Sequence, residues 1–389
     1  MDKNIDSITA SIKKGSPIYI TPYKEPKVWG VKDIGEYWYG AEKGNKSSTA
    51  HIDGQFIPMA ELIEKIPSEI LGVEVIKKFG CFLPLVKILT PKSRLSVQFH
   101  DAKDELWIVT GIDAAIAKSG AKLIIGFNPE LLKQYGGEIK DKYLASLEKY
   151  GKSLNILIDE MESCFKNILN ETKDVFKAAK IVCEKNEKIK KIFHQVRADR
   201  KMVDNFYNYL EVKAGDVIPV PKGTLHALGA GIEIIEPQIP GPTQSLEDGE
   251  TYPVRYYFPF YPREGASKKL DLDRVGEMSA EVWDKGREDI LFNEDGVKIE
   301  RMPGGFESKG LAVHRVNLDK GKTLSYNNTT SYHIFVAVTG SAKILINSQI
   351  YDIPKATADG KMLIIPAVNT EYKILAEEFV QFIDTFTPA

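Results

Sequence analysis

A mainly β fold interrupted by an α-helical insertion is what the sequence predicts, from three textures that follow one another along the chain. From Pro17 to about Phe127, short apolar runs lie between glycines and charged turns, which is the pattern of strands; examples are Ile18-Tyr19-Ile20, Leu83 to Leu89 and Leu106 to Val109. One helix is expected to interrupt them, at Met59 to Ile63. From about Asn128 to Tyr209 the apolar residues instead recur at helical spacing, as Leu154, Ile158, Met161, Phe165 and Ile168, then Val175, Ala178 and Val182. Asn128-Pro129 opens this stretch as an N-cap with proline at the first helical position, where its missing N–H costs nothing. After Glu211 the strand texture returns and lasts to the C-terminus, with one helical stretch expected near Ala280 to Trp283. Several short strands with regular glycine-containing turns favour a barrel or sandwich. No long Pro/Ser linker separates the parts, so they are expected to pack closely.

The composition narrows the function classes. A chain of 389 residues is long enough for more than one core. It is 43% hydrophobic and 27% charged with a formal net charge of -2, which gives no reason to expect nucleic acid as a partner. The lysine-rich run Glu184 to Lys191 has acidic residues inside it and reads as the solvated face of a helix. Cys81, Cys164 and Cys183 form neither a CxxC pair nor an even framework, which suits a reduced compartment. No apolar segment follows Met1-Asp2-Lys3-Asn4, and no apolar run reaches the length of a bilayer span. A cytoplasmic protein without a membrane partner is expected; the sequence does not give its oligomeric state.

The chemistry is concentrated in two stretches. In Leu95-Ser96-Val97-Gln98-Phe99-His100, the polar residues Ser96, Gln98 and His100 alternate with three apolar ones. On a strand this sends the polar side chains to one face and the apolar ones to the other. The alternation predicts a polar cavity inside a barrel, with a sheet packing outside. A turn over Asp101-Ala102-Lys103-Asp104 then brings Glu105 to the start of the next strand, so that it sits beside His100 across a hairpin. The second stretch, Gly215-Asp216 to His226, reads as turn, apolar strand, Pro221-Lys222-Gly223 turn, and an imidazole near the start of another strand. Imidazole nitrogen, carboxylate oxygen and amide oxygen are all ligands for zinc or a similar divalent ion.

Both stretches resemble the paired motifs of the cupin superfamily, with Gly215, Pro221, Gly223 and His226 at the family spacing. The variant Ser96-x-Gln98-x-His100 is similar to that of type I mannose-6-phosphate isomerases. So are Val28-Trp29-Gly30 with Gly35-Glu36-Tyr37-Trp38, the segment Leu83 to Ile88, Lys103-x-Glu105, Ile234 to Gln238, and Thr251 to Arg255. Asp101 and a tight turn stand where that family has a proline and a longer segment.

The resemblance implies a cupin-type β-barrel (a jelly roll) with a second, degenerate cupin-like barrel and a helical insertion. Residues 1–127 and 211–265 would build the catalytic barrel, 128–210 the insertion, and 266–389 a C-terminal cupin-like domain without metal ligands. Pro366 to Glu371 stands there in place of a histidine-bearing motif. The resemblance further implies one Zn2+ per chain, or another divalent metal, on Gln98, His100, Glu105 and His226. It implies substrate contacts from Ser96, Lys103, Glu236 and Arg255, and interconversion of mannose 6-phosphate and fructose 6-phosphate.

Glu236 follows the apolar run Ile232 to Ile235, so if buried it must be paired or catalytic, and Arg255 is one possible partner. Glu236 and Lys103 are both candidates to shuttle the proton of an enediol mechanism, and Arg255 would hold an oxyanion or the phosphate. His51, His194, His314 and His333 stand outside any motif and read as structural, and the aromatic cluster Tyr252 to Tyr261 as core and rim packing. Two other readings remain on this barrel: an iron-dependent oxygenase, and a non-catalytic sugar-binding or regulatory module.

Overall fold

Two antiparallel sheets face each other to form the first barrel, and the alternation of each strand decides what lies inside it. The computed structural model describes residues 2–42, 44–80, 84–100, 103–172, 175–239, 244–245, 251–252, 256–260, 272–281 and 284–389. One sheet has six strands in the order Val217–Val220, Glu105–Ile112, Ile232–Gln238, Leu85–Leu89, Ile34–Tyr39 and Tyr23–Val31. Leu106, Ile108, Val86, Ile88, Tyr37, Val217 and Ile235 point outward into a large shared core. Their neighbours Trp107, Val109, Leu89, Ile218, Val220, Ile232 and Ile234 point into the barrel. Both faces are therefore dry, which is why these strands read as continuous apolar runs rather than as alternations.

The facing sheet has five strands, in the order Tyr207–Glu211, Lys122–Phe127, His226–Ala227, Val97–His100 and Tyr256–Phe260. Its outer face carries Val97, Phe99, Ile124, Phe127, Leu225 and Ala227, and these meet helices. This corrects the expectation of a sheet outside the strand of Gln98 and His100. The insertion supplies the cover: helices Pro129–Tyr135, Ile139–Cys164, Lys166–Thr172, Val175–Val182 and Glu187–Asp204. The first is capped as expected, with Asn128 Oδ1 accepting from Glu130 N at 2.9 Å. On the longest, Tyr143, Leu147, Tyr150, Leu154, Leu157, Ile158 and Met161 form one buried stripe. The lysine-rich run spans the turn and first residues of the last helix, with Ile189 buried and the charged residues exposed. The insertion is thus a buttress on the outer face of the strand that carries Gln98 and His100. Replacing Phe99, fully buried there, with alanine is expected to cost about 3–5 kcal/mol in urea unfolding, because a strand held from both sides cannot collapse into the cavity.

A second β unit encloses its own core between a nine-stranded and a four-stranded sheet. Ala312–Leu318, His333–Thr339 and Met362–Ile365 are strands, as their texture predicts. Three early strands, Ile18–Thr21, Thr49–Ile52 and Gln55–Pro58, belong to this nine-stranded sheet. Ile18 pairs with Ile364 and Ile20 with Met362, so part of the stretch 1–127 pairs into the sheet of the second β unit rather than the first barrel. The 366–371 segment packs on the N-terminal helices: Ala367 N donates to Ile70 O, and Asn369 Nδ2 to Ile12 O. Met59–Lys65 is the expected helix, and Asp2–Lys13, Pro67–Leu71 and Val73–Phe79 are further helices. No helix occupies Ala280 and Glu281; a 3-10 turn lies earlier, at Leu272–Glu277, and Val282 and Trp283 lie outside the described residues. Ser279 N donates to Gly223 O and Gly286 N to Val217 O, so this segment spends its backbone donors on the first barrel instead. No described helix is long and apolar enough to cross a membrane.

Candidate metal centre

His226 stands directly opposite Gln98 in the five-stranded sheet, and both point inward with His100, two residues further along its strand. Gln98 Nε2 lies 3.3 Å from His226 Nε2. His226 Nδ1 lies 2.8 Å from the carbonyl of Thr224. A carbonyl only accepts, so Nδ1 carries the proton and Nε2 keeps its lone pair for the centre. A half-turn of the Gln98 amide presents its oxygen there instead of its nitrogen.

Glu105 reaches the same place by a route that differs from the expected hairpin. Its strand belongs to the six-stranded sheet, whereas that of His100 belongs to the five-stranded one, so the chain crosses between sheets. Asp101 and Ala102, part of that crossing, lie outside the described residues. Glu105 Oε1 lies 3.1 Å from His100 Nε2, and Oε2 accepts from Trp107 Nε1 at 3.0 Å. The His100 and His226 rings have centroids 4.8 Å apart. Among the described residues, His100, Glu105 and His226 form the one group of three His, Cys, Asp or Glu donors close enough to share an ion, all within 4.8 Å of one another. None of the three is more than 2% exposed.

Their protonation states suit a cation. Burial, reinforced by the nearby Lys103 ammonium, holds the His100 imidazole well below its usual range. Burial also lowers His226. Burial works to raise the Glu105 carboxyl, but Lys103 and then the imidazoles outweigh it and hold it well below the usual carboxylate range. Two neutral imidazoles and one carboxylate are the forms in which these groups ligate a metal. The Thr224 carbonyl and the Trp107 indole orient two of them from behind, the arrangement that metal sites use to fix their ligands. The residues present therefore fit a divalent ion.

Beside this group lies a chain of buried charges. Glu236 points inward from Ile232–Gln238, opposite Lys87 on Leu85–Leu89. Lys87 Nζ is 3.2 Å from Glu236 and 3.4 Å from Glu36. Lys103 donates to Gln238 Oε1 at 2.7 Å, lies 3.7 Å from Glu236, and contacts Glu105 closely. Burial, then the Glu105 charge, raise the Glu236 carboxyl to about 7, with both lysines pulling against them. Of the expected residues, the structure thus gathers Gln98, His100, Glu105, His226, Lys103 and Glu236. Ser96 is half-buried just before its strand. Arg255 lies outside the described residues, and the described partners of Glu236 are the two lysines. Lys87, Glu36 and Gln238 were not singled out from the sequence. Lys87 had a signal, being the one charged residue in the run Leu85 to Leu89; the burial argument made for Glu236 applies to it equally.

No protein-family model matches the sequence, and no curated protein matches it either. Solved structures do match the fold. The mannose 6-phosphate isomerase of Bacillus subtilis is 16% identical with a TM-score of 0.60, over 95% of this chain and 99% of that one. The chain has the phosphomannose isomerase fold. A mutant of phosphomannose isomerase from Salmonella typhimurium gives a TM-score of 0.61 at 14% identity, over 96% of this chain and all of the other. The phosphomannose isomerase fold therefore extends over nearly the whole chain.

The four remaining histidines have ordinary settings in this fold. His51 bonds Thr21 Oγ1 at 2.9 Å and His194 is exposed on its helix. His314 packs edge-on against Phe386, and His333 donates to Asp384 at 2.9 Å inside the second β unit. The side chains of the aromatic cluster at Tyr252 to Tyr261 lie outside the described residues.

Proposed function

We propose that the chain is a metal-dependent aldose–ketose isomerase acting on a hexose 6-phosphate, interconverting mannose 6-phosphate and fructose 6-phosphate through an enediol. The observation that carries this reading is three buried donors within 4.8 Å of one another, next to a carboxyl raised to about 7. The metal would be held by His100, Glu105 and His226, with Gln98 as fourth ligand, and zinc is the proposed ion. When bound it supplies Lewis-acid stabilisation of the negative charge that develops on the sugar oxygens.

The chain's own residues do the rest. Glu236 moves the proton between C1 and C2, since a carboxyl near neutrality both takes and returns one. Lys103, donating to Gln238 and paired with Glu105 and Glu236, suits a fixed cation rather than a base. Ser96 and Arg255 are the proposed contacts to the substrate's hydroxyl and phosphate oxygens. The choice of sugar follows the mannose 6-phosphate isomerase of Bacillus subtilis, whose fold this chain shares.

An iron-dependent oxygenase is the second reading, because two imidazoles and one carboxylate also suit non-haem iron. Elemental analysis of the purified protein with a coupled assay on mannose 6-phosphate separates the two. The proposed function expects about one divalent ion per chain, as for a single-metal site, and turnover without oxygen uptake. Oxygen consumption with bound iron would transfer the site to the second reading. Tight sugar-phosphate binding without turnover would make it a binding module.

A further inference from the structure

A side chain of the second β unit, that of Lys309, reaches the residue next to Glu105. Asp104 stands between Lys103 and Glu105, is 4% exposed, and spends its polar groups on other segments. Its Oδ1 accepts from the backbone N–H of Lys222 at 3.0 Å, in the turn that leads to His226. Its Oδ2 takes the ammonium of Lys309 at 2.5 Å. Its carbonyl accepts from Ile239 N at 3.2 Å, just beyond the strand of Glu236. Next to this, Gly223 N donates to the carbonyl of His100 at 2.6 Å. The segments that carry Lys103 and Glu105, His226, Glu236 and His100 are thus joined at or beside Asp104.

Lys309 is the distant member of this knot. It lies 205 residues away in sequence, in the Glu307–Lys309 turn of the second β unit. A buried carboxylate needs a cation, because the low dielectric penalises an unpaired charge far more than water does. Without Lys309, the Asp104 carboxylate would keep one N–H donor. The turn would then relax toward water to solvate that charge, and so move the adjacent Glu105 relative to the imidazoles.

We propose that Lys309 is a positioning residue for the metal centre: by neutralising Asp104 it locks the turn that presents Lys103 and Glu105 against the turn that presents His226. The inference rests on the metal-site reading above. It gives the second β unit a part in metal affinity.

The test uses the full-length protein with Lys309→Met and Lys309→Arg, and Lys298→Met as a control that removes another ion pair of the same unit, with Glu300 at 2.6 Å. Zn2+ affinity is read by competition with a chromophoric chelator, and ligand geometry from the visible spectrum of the Co2+-loaded protein. Lys309→Met is expected to weaken Zn2+ binding about tenfold, the lower end of the cost of losing a direct partner of a ligand because Lys309 acts through Asp104, and to shift the Co2+ bands. Lys309→Arg should restore both, and Lys298→Met should change neither. In an Asp104→Asn background, Lys309→Met should add nothing further, because the charge it served is gone. Wild-type affinity and an unchanged Co2+ spectrum in Lys309→Met would overturn this inference alone. A matching loss in Lys298→Met would overturn it as a nonspecific charge effect. A wild-type protein that binds no Zn2+ would remove the metal site and this inference with it.

Discussion

His226→Ala is expected to abolish stoichiometric metal and isomerase turnover together. His226 is the proposed ligand brought from the distant stretch of chain, and its ring is held by the Thr224 carbonyl behind it. Alanine leaves one imidazole and one carboxylate of the three-donor group. The loss should exceed the about 10–100-fold that removal of an outer partner costs, since a direct bond is lost. The fold should survive, because Leu225 and Ala227 on either side remain packed on the helices. Metal content by elemental analysis and turnover in the coupled assay report the two effects separately. A folded variant that keeps one ion per chain would place the centre elsewhere.

Glu236→Gln is expected to keep the metal and lose catalysis, with kcat falling about 10²–10⁴-fold, the range for removing a general base. The wild type should also show a pH limb that the variant lacks. A base works ionised, so kcat/KM should climb with pH and level off above about 7, where burial and Glu105 place this carboxyl. A bound cation favours the carboxylate, so the limb in the loaded enzyme lies at that pH or below it. Stability should move in the opposite sense. The folded carboxyl is raised above its unfolded value of 4.5, so the folded state holds a proton that the unfolded chain releases. That contribution is complete below the unfolded value and disappears as pH rises through about 7. Urea midpoints at pH 5 and pH 8 should therefore differ less in the variant than in the wild type. Normal turnover with an unaltered pH profile would make Glu236 a structural ion-pair partner of Lys87.

Much of the candidate centre was legible because its proposed ligands sit in locally periodic segments. The alternation around Gln98 and His100 shows one wet and one dry face, and the turns bounding Val217–Val220 mark where His226 emerges. The route of Glu105 was not legible. A tight turn between two strands reads as a hairpin, and only sheet membership shows that this one crosses from one sheet to the other. Lys87 was visible as a charge in a dry strand, but its partners were not. Whether it meets Glu236 or Glu36 depends on register between strands far apart in sequence. The N-terminal helix Asp2–Lys13 passed unread, although Ile8 and Ile12 anchor it in the shared core.

By itself the sequence determined which faces are dry, where strands give way to helices, and which side chains have the chemistry to hold a metal. These are local properties, set by side-chain period and turn residues. Tertiary structure alone decided that Ile18–Thr21 joins the C-terminal sheet, that helices cover Phe99, and that Lys309 reaches Asp104 across the two β units. Those pairings are chosen by long-range burial and charge compensation, and neither leaves a periodic trace in the segments it joins.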